Sequence, residues 1–386
     1  MSTPSKIILV LTITSLLIGV GVVVPTASAQ PPDGNPQHPR LWVRAEDLPR
    51  LRAWATTDNP IYSEGLAPLA ENMKAEMDAG NVPAMDSGGI TWEQYPTEMV
   101  AELFAFMSLI ENNPSVRDDY ARRARELLMY VMNRAIQGVS PEAPFRDPDF
   151  STYDRSRWWG ESFALTVDWI YPYLTAEDKQ AIRTVFLRWV GENMRAETTA
   201  FNHPEPVGVY NDPILLNDGE ALRWSANNYY LAHMRNIGLM ALSLDPSDDP
   251  AGELASYLEN ATGAWLYRID HLLRTEELAG FSPEGWQYGP EALGSVVQFL
   301  LALNTAGQDN PDTWGQQVVM DNNPFWDDVI PAYLHSLSPA TATPPTWSWI
   351  APVYEPAWYG DGQSYWAPDS IGLFGPLGIL AYNAGN

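Results

Sequence analysis

The sequence predicts an all-α protein. Apolar residues recur at helical spacing along almost the whole chain, strand-like alternation is nearly absent, and short Pro, Gly, Asn and Asp breaks divide the chain into segments of 15 to 25 residues. Helices are expected at about 45–57, 60–80, 95–112, 115–137, 157–173, 176–196, 222–244, 251–276, 287–306, 325–338 and 368–384.

The first thirty residues read differently. Lys6 is the only early charge, the apolar run extends from Ile7 to Val24, and Ala27-Ser28-Ala29 precedes Gln30 as a small-residue cleavage site. The expected organisation is a signal peptide over 1–29 and a single domain over 30–386, secreted to an extracellular or periplasmic space. The run is long enough that an uncleaved membrane anchor is the competing reading, and no later segment is long and apolar enough to span a bilayer. A Pro/Gly/Asn-rich leader follows from Pro31 to Pro39.

Helix starts have a mechanism. Thr175-Ala176-Glu177-Asp178 fits a capping box, in which the Thr175 hydroxyl and Asp178 carboxylate satisfy backbone donors that the first turn leaves unpaired. Ser115 after Pro114 opens the helix that places Ala121, Ala124, Leu127, Leu128, Val131 and Met132 on one stripe. From Ser338 to Gly362 the helical period disappears, and prolines crowd with Trp347, Trp349, Tyr354, Trp358 and Tyr359 into what is expected to be a long packed loop. Successive antiparallel pairs can close into a ring with a concave cleft at one end. The favoured architecture is an incomplete (α/α) toroid or barrel of five to six antiparallel helix pairs, with no β-sandwich domain evident; a bundle or open solenoid gives similar periodicity.

Composition narrows the function. The chain has no cysteine, so disulfide stapling, thiolate metal sites and cysteine nucleophiles are excluded. Its five histidines are too scattered to suggest zinc, and neither a metal nor a cofactor is expected. With 22 basic against 48 acidic residues the formal charge is −26, which disfavours nucleic acid and densely sulfated polyanions as partners. Sixteen tryptophans and eighteen tyrosines, several beside polar residues, suit polysaccharide or oligosaccharide recognition: sugar C–H faces stack on rings while hydroxyls bond to Asn, Asp, Glu and Arg. The richest clusters are 155–161 with Trp158, Trp159 and Glu161, 223–230 with Trp224, Asn227, Asn228 and Tyr229, and 281–289 with Glu284, Trp286 and Tyr288. Each lies at or near a predicted helix start, where Trp and Tyr also serve simply to pack helix ends.

Four segments resemble the heparinase II/III-like and alginate-lyase-like polysaccharide lyases, whose helical part is an (α/α) toroid. His38-Pro39-Arg40-Leu41 with Glu46-Asp47-Leu48 and Leu51 looks like the family's opening, and Val167-Asp168-Trp169-Ile170-Tyr171 with Leu174-Thr175 looks like its "DW-(I/L)-Y…LT" helix end. Asn227-Asn228-Tyr229 is similar to the Asn/His-bearing segment, and residues 282–289 look like the "PEG…YG" segment. The likeness covers most of 38–384 through short motifs. It departs from the pattern in having Asn227-Asn228 where relatives often present Asn-His, with His233 no positional equivalent, and in supplying no β-sandwich wall, as expected of a truncated lyase or a lone toroid.

The resemblance implies cleavage of a uronate-containing polysaccharide by β-elimination. Asn228, with Asn227 as the less favoured neighbour, would neutralise the substrate carboxylate, Tyr288 would transfer protons, and Arg235 or His233 would support them. Trp158, Trp159, Trp224, Tyr229, Glu284 and Trp286 would bind substrate. A phenol is a poor base near neutral pH, so Tyr288 needs a positive charge close by. Asn227 and Asn228 are equally suited to be helix N-caps, and Tyr288 to be a packing residue. Two alternatives remain: an inverting glycoside hydrolase with carboxylates drawn from Glu161, Asp168 and Glu284, and a non-catalytic saccharide-binding or cell-surface protein.

Overall fold

Helix formation follows the local signals closely. In the computed structural model, which describes residues 37–89, 94–138, 140, 143–146, 150–194, 216–343, 352–357, 359–360 and 371–384, the protein is all-α, with no strand among the described residues. Met1–Gln30, and with it the expected export signal, lies outside the described residues, as do 31–36 of the leader and 195–215.

The helices are α1 (Leu48–Trp54), α2 (Ala67–Asp78), α3 (Thr97–Ile110), α4 (Pro114–Gln137), α5 (Asp154–Trp159), α6 (Ser162–Trp169), α7 (Ala176–Met194) and α8 (Gly219–Trp224), followed by α9 (Asn228–Ser243), α10 (Glu253–Tyr257), α11 (Gly263–Thr275), α12 (Gly285–Thr305), α13 (Pro311–Trp314), α14 (Phe325–Ser336) and α15 (Ile371–Ala384). The box at Thr175 forms as expected, with Thr175 N donating to Asp178 at 2.8 Å and Asp178 N donating to the Thr175 hydroxyl at 3.2 Å. The α4 stripe is wholly buried. Its cap is Asn113, whose side chain accepts from Ser115 N at 3.0 Å, with Pro114 in the first turn where its missing N–H costs nothing.

Two expected helices divide. The 157–173 segment breaks between Trp159 and Ser162, where Gly160 lies so close to the Asn236 amide that a Cβ would collide with it; that amide donates to Ser156 O at 2.9 Å. The 222–244 segment breaks because Asn227 caps a new helix, its side chain accepting from Tyr229 N at 2.9 Å. Within the 338–362 loop, isolated bridges pair Leu337 with Pro356 and Ala342 with Val353; residues 344–351, 358 and 361–362 lie outside the described residues.

The helices pack as two rows. One runs α3, α6, α9, α12 and α15, each against the next, and the other runs α4, α7 and α10, with α4 also lying along α3. Aromatic side chains fill the space around α6 and α7, where Phe150, Phe163 and Phe186 surround Trp189 at ring separations of 5.0 to 5.9 Å. Residues 38–41 and 167–171 clasp one another. Asp168 accepts from the backbone N–H of Arg40 at 2.9 Å and Leu41 at 2.8 Å, and Trp169 Nε1 donates to Leu41 O at 2.9 Å. No helix of the described residues is long and apolar enough to cross a membrane.

Candidate functional site

The beginnings of α5, α9 and α12 converge on one buried cation, Arg157. Its Nη1 donates to Asn228 Oδ1 at 2.7 Å, and it pairs with Asp154 at 3.2 Å and Glu291 at 3.3 Å. Its guanidinium lies 4.4 Å from the Trp158 ring centre, 4.2 Å from that of Tyr229 and 5.8 Å from that of Tyr288. A delocalised guanidinium is attracted to aromatic ring faces while its N–H groups make directed hydrogen bonds.

Asn228 is the hinge of this arrangement. While Oδ1 accepts from Arg157, Nδ2 donates to Glu284 Oε2 at 2.7 Å. Asn227 holds the cap, which decides between the two asparagines for that structural role. An amide polarised by a guanidinium on its oxygen is a stronger donor through its nitrogen, which is the property a carboxylate-neutralising group requires.

Other expected site residues stand further back. Arg235 is buried, donating to Glu161 at 2.5 Å and Gln298 at 2.7 Å, so it neutralises a carboxylate beneath the site. Burial still pushes Glu161 up, against the pull of Arg235. His233 is fully buried, with Nδ1 3.4 Å from the Ser156 hydroxyl and its ring 6.4 Å from that of Tyr229. Trp286 is also buried, its ring edge-on to Tyr333 at 5.1 Å and to Tyr359 at 5.9 Å, so it packs the chain's own rings and offers no open face. Trp158 and Trp159 are half-buried and 6.1 Å apart. Trp224 ends α8, and its side chain lies outside the described residues.

Asp168 is no acid–base candidate in this setting. It is fully buried and spends its oxygens on His38 at 2.6 Å and on the backbone of Arg40 and Leu41. Arg155, three residues from the start of the same cluster's Trp158, is likewise structural: it is buried in a double fork with Asp86 and Glu98.

No protein-family model matches this sequence, and no curated protein matches it. The chemistry of the site therefore rests on its own geometry.

That geometry includes groups the sequence reading passed over. Arg157 lies within the aromatic-rich 155–161 cluster, and Glu291 follows Tyr288 by three residues on α12, the spacing that puts both on one face. Glu277 is 3 % exposed, its Oε2 has no hydrogen-bond partner, and burial together with the nearby charges of Glu284 and Glu276 pushes its carboxyl up to about 8. The Tyr359 hydroxyl and Trp286 Nε1 are buried without partners as well. Gly285 and Gly360 bring these together: each has a positive φ, and a Cβ on either would strike the backbone of the other segment. Among the described residues no group of His, Cys, Asp and Glu is placed to hold a metal ion.

Proposed function

We propose that this chain is a secreted polysaccharide lyase that cleaves a uronate-containing polysaccharide by β-elimination, on an incomplete (α/α) toroid. The observation that carries the reading is the Asn228 amide, set between the Arg157 guanidinium and the Glu284 carboxylate with Tyr288 on the same cation. The resemblance of residues 227–229 and 282–289 to lyase segments agrees with it, and the two rows of helices agree with a toroid's inner and outer layers.

In the reaction the proton α to the sugar carboxylate is removed, its electrons form the new carbon–carbon double bond, and the bond from the β carbon to the glycosidic oxygen breaks as that oxygen takes a proton. Charge developing on the carboxylate needs a donor, here Asn228 Nδ2 with Arg157 behind it. A substrate carboxylate would take the place now held by the Glu284 carboxylate. Tyr288 is the proton-transfer group, with Arg157 as the positive charge its phenolate requires. Trp158 and Tyr229 flank the cation and present ring surface to the sugar.

One observation favours a second reading. Glu277, held protonated beside Glu284, pairs an acid with a second carboxylate, which is the equipment of an inverting glycoside hydrolase. Incubation with alginate, pectate, hyaluronan, chondroitin and heparan separates the two. Ultraviolet absorbance from an unsaturated uronate that disappears in Tyr288→Phe and Asn228→Ala supports elimination. New reducing ends without that absorbance, lost instead in Glu277→Gln, support hydrolysis. Neither signal, with oligosaccharide still bound, leaves a saccharide-binding protein and rejects both enzymes.

A further inference from the structure

Behind the start of α9 lies a cluster unrelated to the chemistry above. Leu258–Thr262 form a π-helical turn that runs directly into α11, so Thr262, Trp265 and Arg268 follow one another at i, i+3 spacing on one face. α9 packs against this turn and brings the Tyr230 phenol to the Arg268 guanidinium. Thr262, Trp265, Arg268 and Tyr230 are each no more than 2 % exposed.

Their polar atoms are unbalanced. Thr262 Oγ1, Trp265 Nε1, and Arg268 Nε and Nη1 have no hydrogen-bond partner. An indole N–H and a guanidinium can only donate, and a guanidinium is always charged. Every other strongly buried arginine described above faces a carboxylate: Arg155 has Asp86 and Glu98, Arg157 has Asp154 and Glu291, Arg235 has Glu161. A buried charge without a counter-charge costs far more than an unmade neutral hydrogen bond.

We infer that Thr262, Trp265 and Arg268, with Tyr230, form an enclosed binding site for a small inorganic anion of the chloride class. Water does not answer the imbalance, because it brings no charge to offset the buried Arg268 guanidinium. Size limits the ligand too. The unpartnered atoms are cut off from solvent, so an anion carrying an organic tail has no path out. The anion neutralises Arg268 and joins α9 to α11, so it is part of the folded state and is released on unfolding.

The test is thermal and denaturant unfolding of the whole chain at constant ionic strength, with sodium chloride replacing sodium gluconate. Above the dissociation constant, the folding equilibrium constant is expected to rise about tenfold for each tenfold rise in chloride. Arg268→Met is expected to lose that dependence and to fold as well in gluconate as in chloride, since an apolar side chain leaves no buried charge to neutralise. Crystals soaked in bromide are expected to show an anomalous peak among Thr262, Trp265 and Arg268. Equal stability in both salts, a chloride dependence that survives in Arg268→Met, or bromide peaks only elsewhere each overturn the site. If Arg268→Met does not fold, the salt series and the bromide map on the native chain decide alone.

Discussion

Arg157 Nη1 lies 2.7 Å from Asn228 Oδ1, across 71 residues of sequence, and this bond joins α5 to the first turn of α9. Asp154 and Glu291 share the same cation and are each about a quarter exposed, so water offsets part of their loss when it is removed. Arg157→Met is expected to destabilise the fold by about 2–3 kcal/mol, below the range for fully buried pairs. Urea unfolding measures it, and a change under half that size would mean the cation is not the hub of the site.

Glu284 accepts from the Asn228 amide, which the proposed elimination requires for a substrate carboxylate. Glu284→Ala is therefore expected to tighten binding of uronate oligosaccharides by about threefold to tenfold, the worth of one displaced hydrogen bond. Calorimetric titration with defined oligomers checks it; weaker binding would place Glu284 on the substrate's hydroxyls instead.

His38 titrates above its ordinary value. Burial alone would lower it, but its bonds to Asp168 and Asp245, with the Asp168 charge, outweigh that. Folding therefore favours the protonated ring: the stabilisation is fully present below about 6.5 and is lost as pH rises through the folded value. Unfolding free energy followed from pH 6 upward should fall in the native chain, and that component should be absent in His38→Ala.

Glu277 acts in the same direction by a different route. Its carboxyl is pushed up from 4.5 to about 8, chiefly by burial, so the folded state holds a proton that the unfolded chain releases. Stability should decline between about 4.5 and 8, and Glu277→Gln should flatten that decline. An unchanged slope in the variant would show that Glu277 is solvated.

Gly160 admits the Asn236 amide against the turn between α5 and α6. Gly160→Ala is expected to cost about 1–3 kcal/mol by overpacking. It should also lower any turnover, because the displaced turn follows directly on the end of α5 that carries Arg157; a variant of native stability would show that the turn yields freely.

Legibility tracked the range of the interactions. The α4 stripe and the Thr175–Asp178 box were readable because each is settled within a few residues, whereas the sequence left the cap open between Asn227 and Asn228 inside a single expected helix. The grouping of Asn228, Glu284 and Tyr288 was readable through resemblance, though not that Arg157 joins them. Asp168 looked like a possible acid from its neighbours, and only its burial against His38, 130 residues away, made it structural. Trp286 looked like a sugar platform, yet it is buried and packed against Tyr333 and Tyr359.

By itself, then, the sequence determined the helical class, most helix limits and the helix starts that bear polar and aromatic residues, since periodicity and capping are local hydrogen-bond and burial patterns. The tertiary structure decided which of 48 carboxylates are paired, protonated or exposed and which arginine faces Asn228. Those properties depend on charge and desolvation between helices that meet only when the chain packs, and no local pattern encodes them.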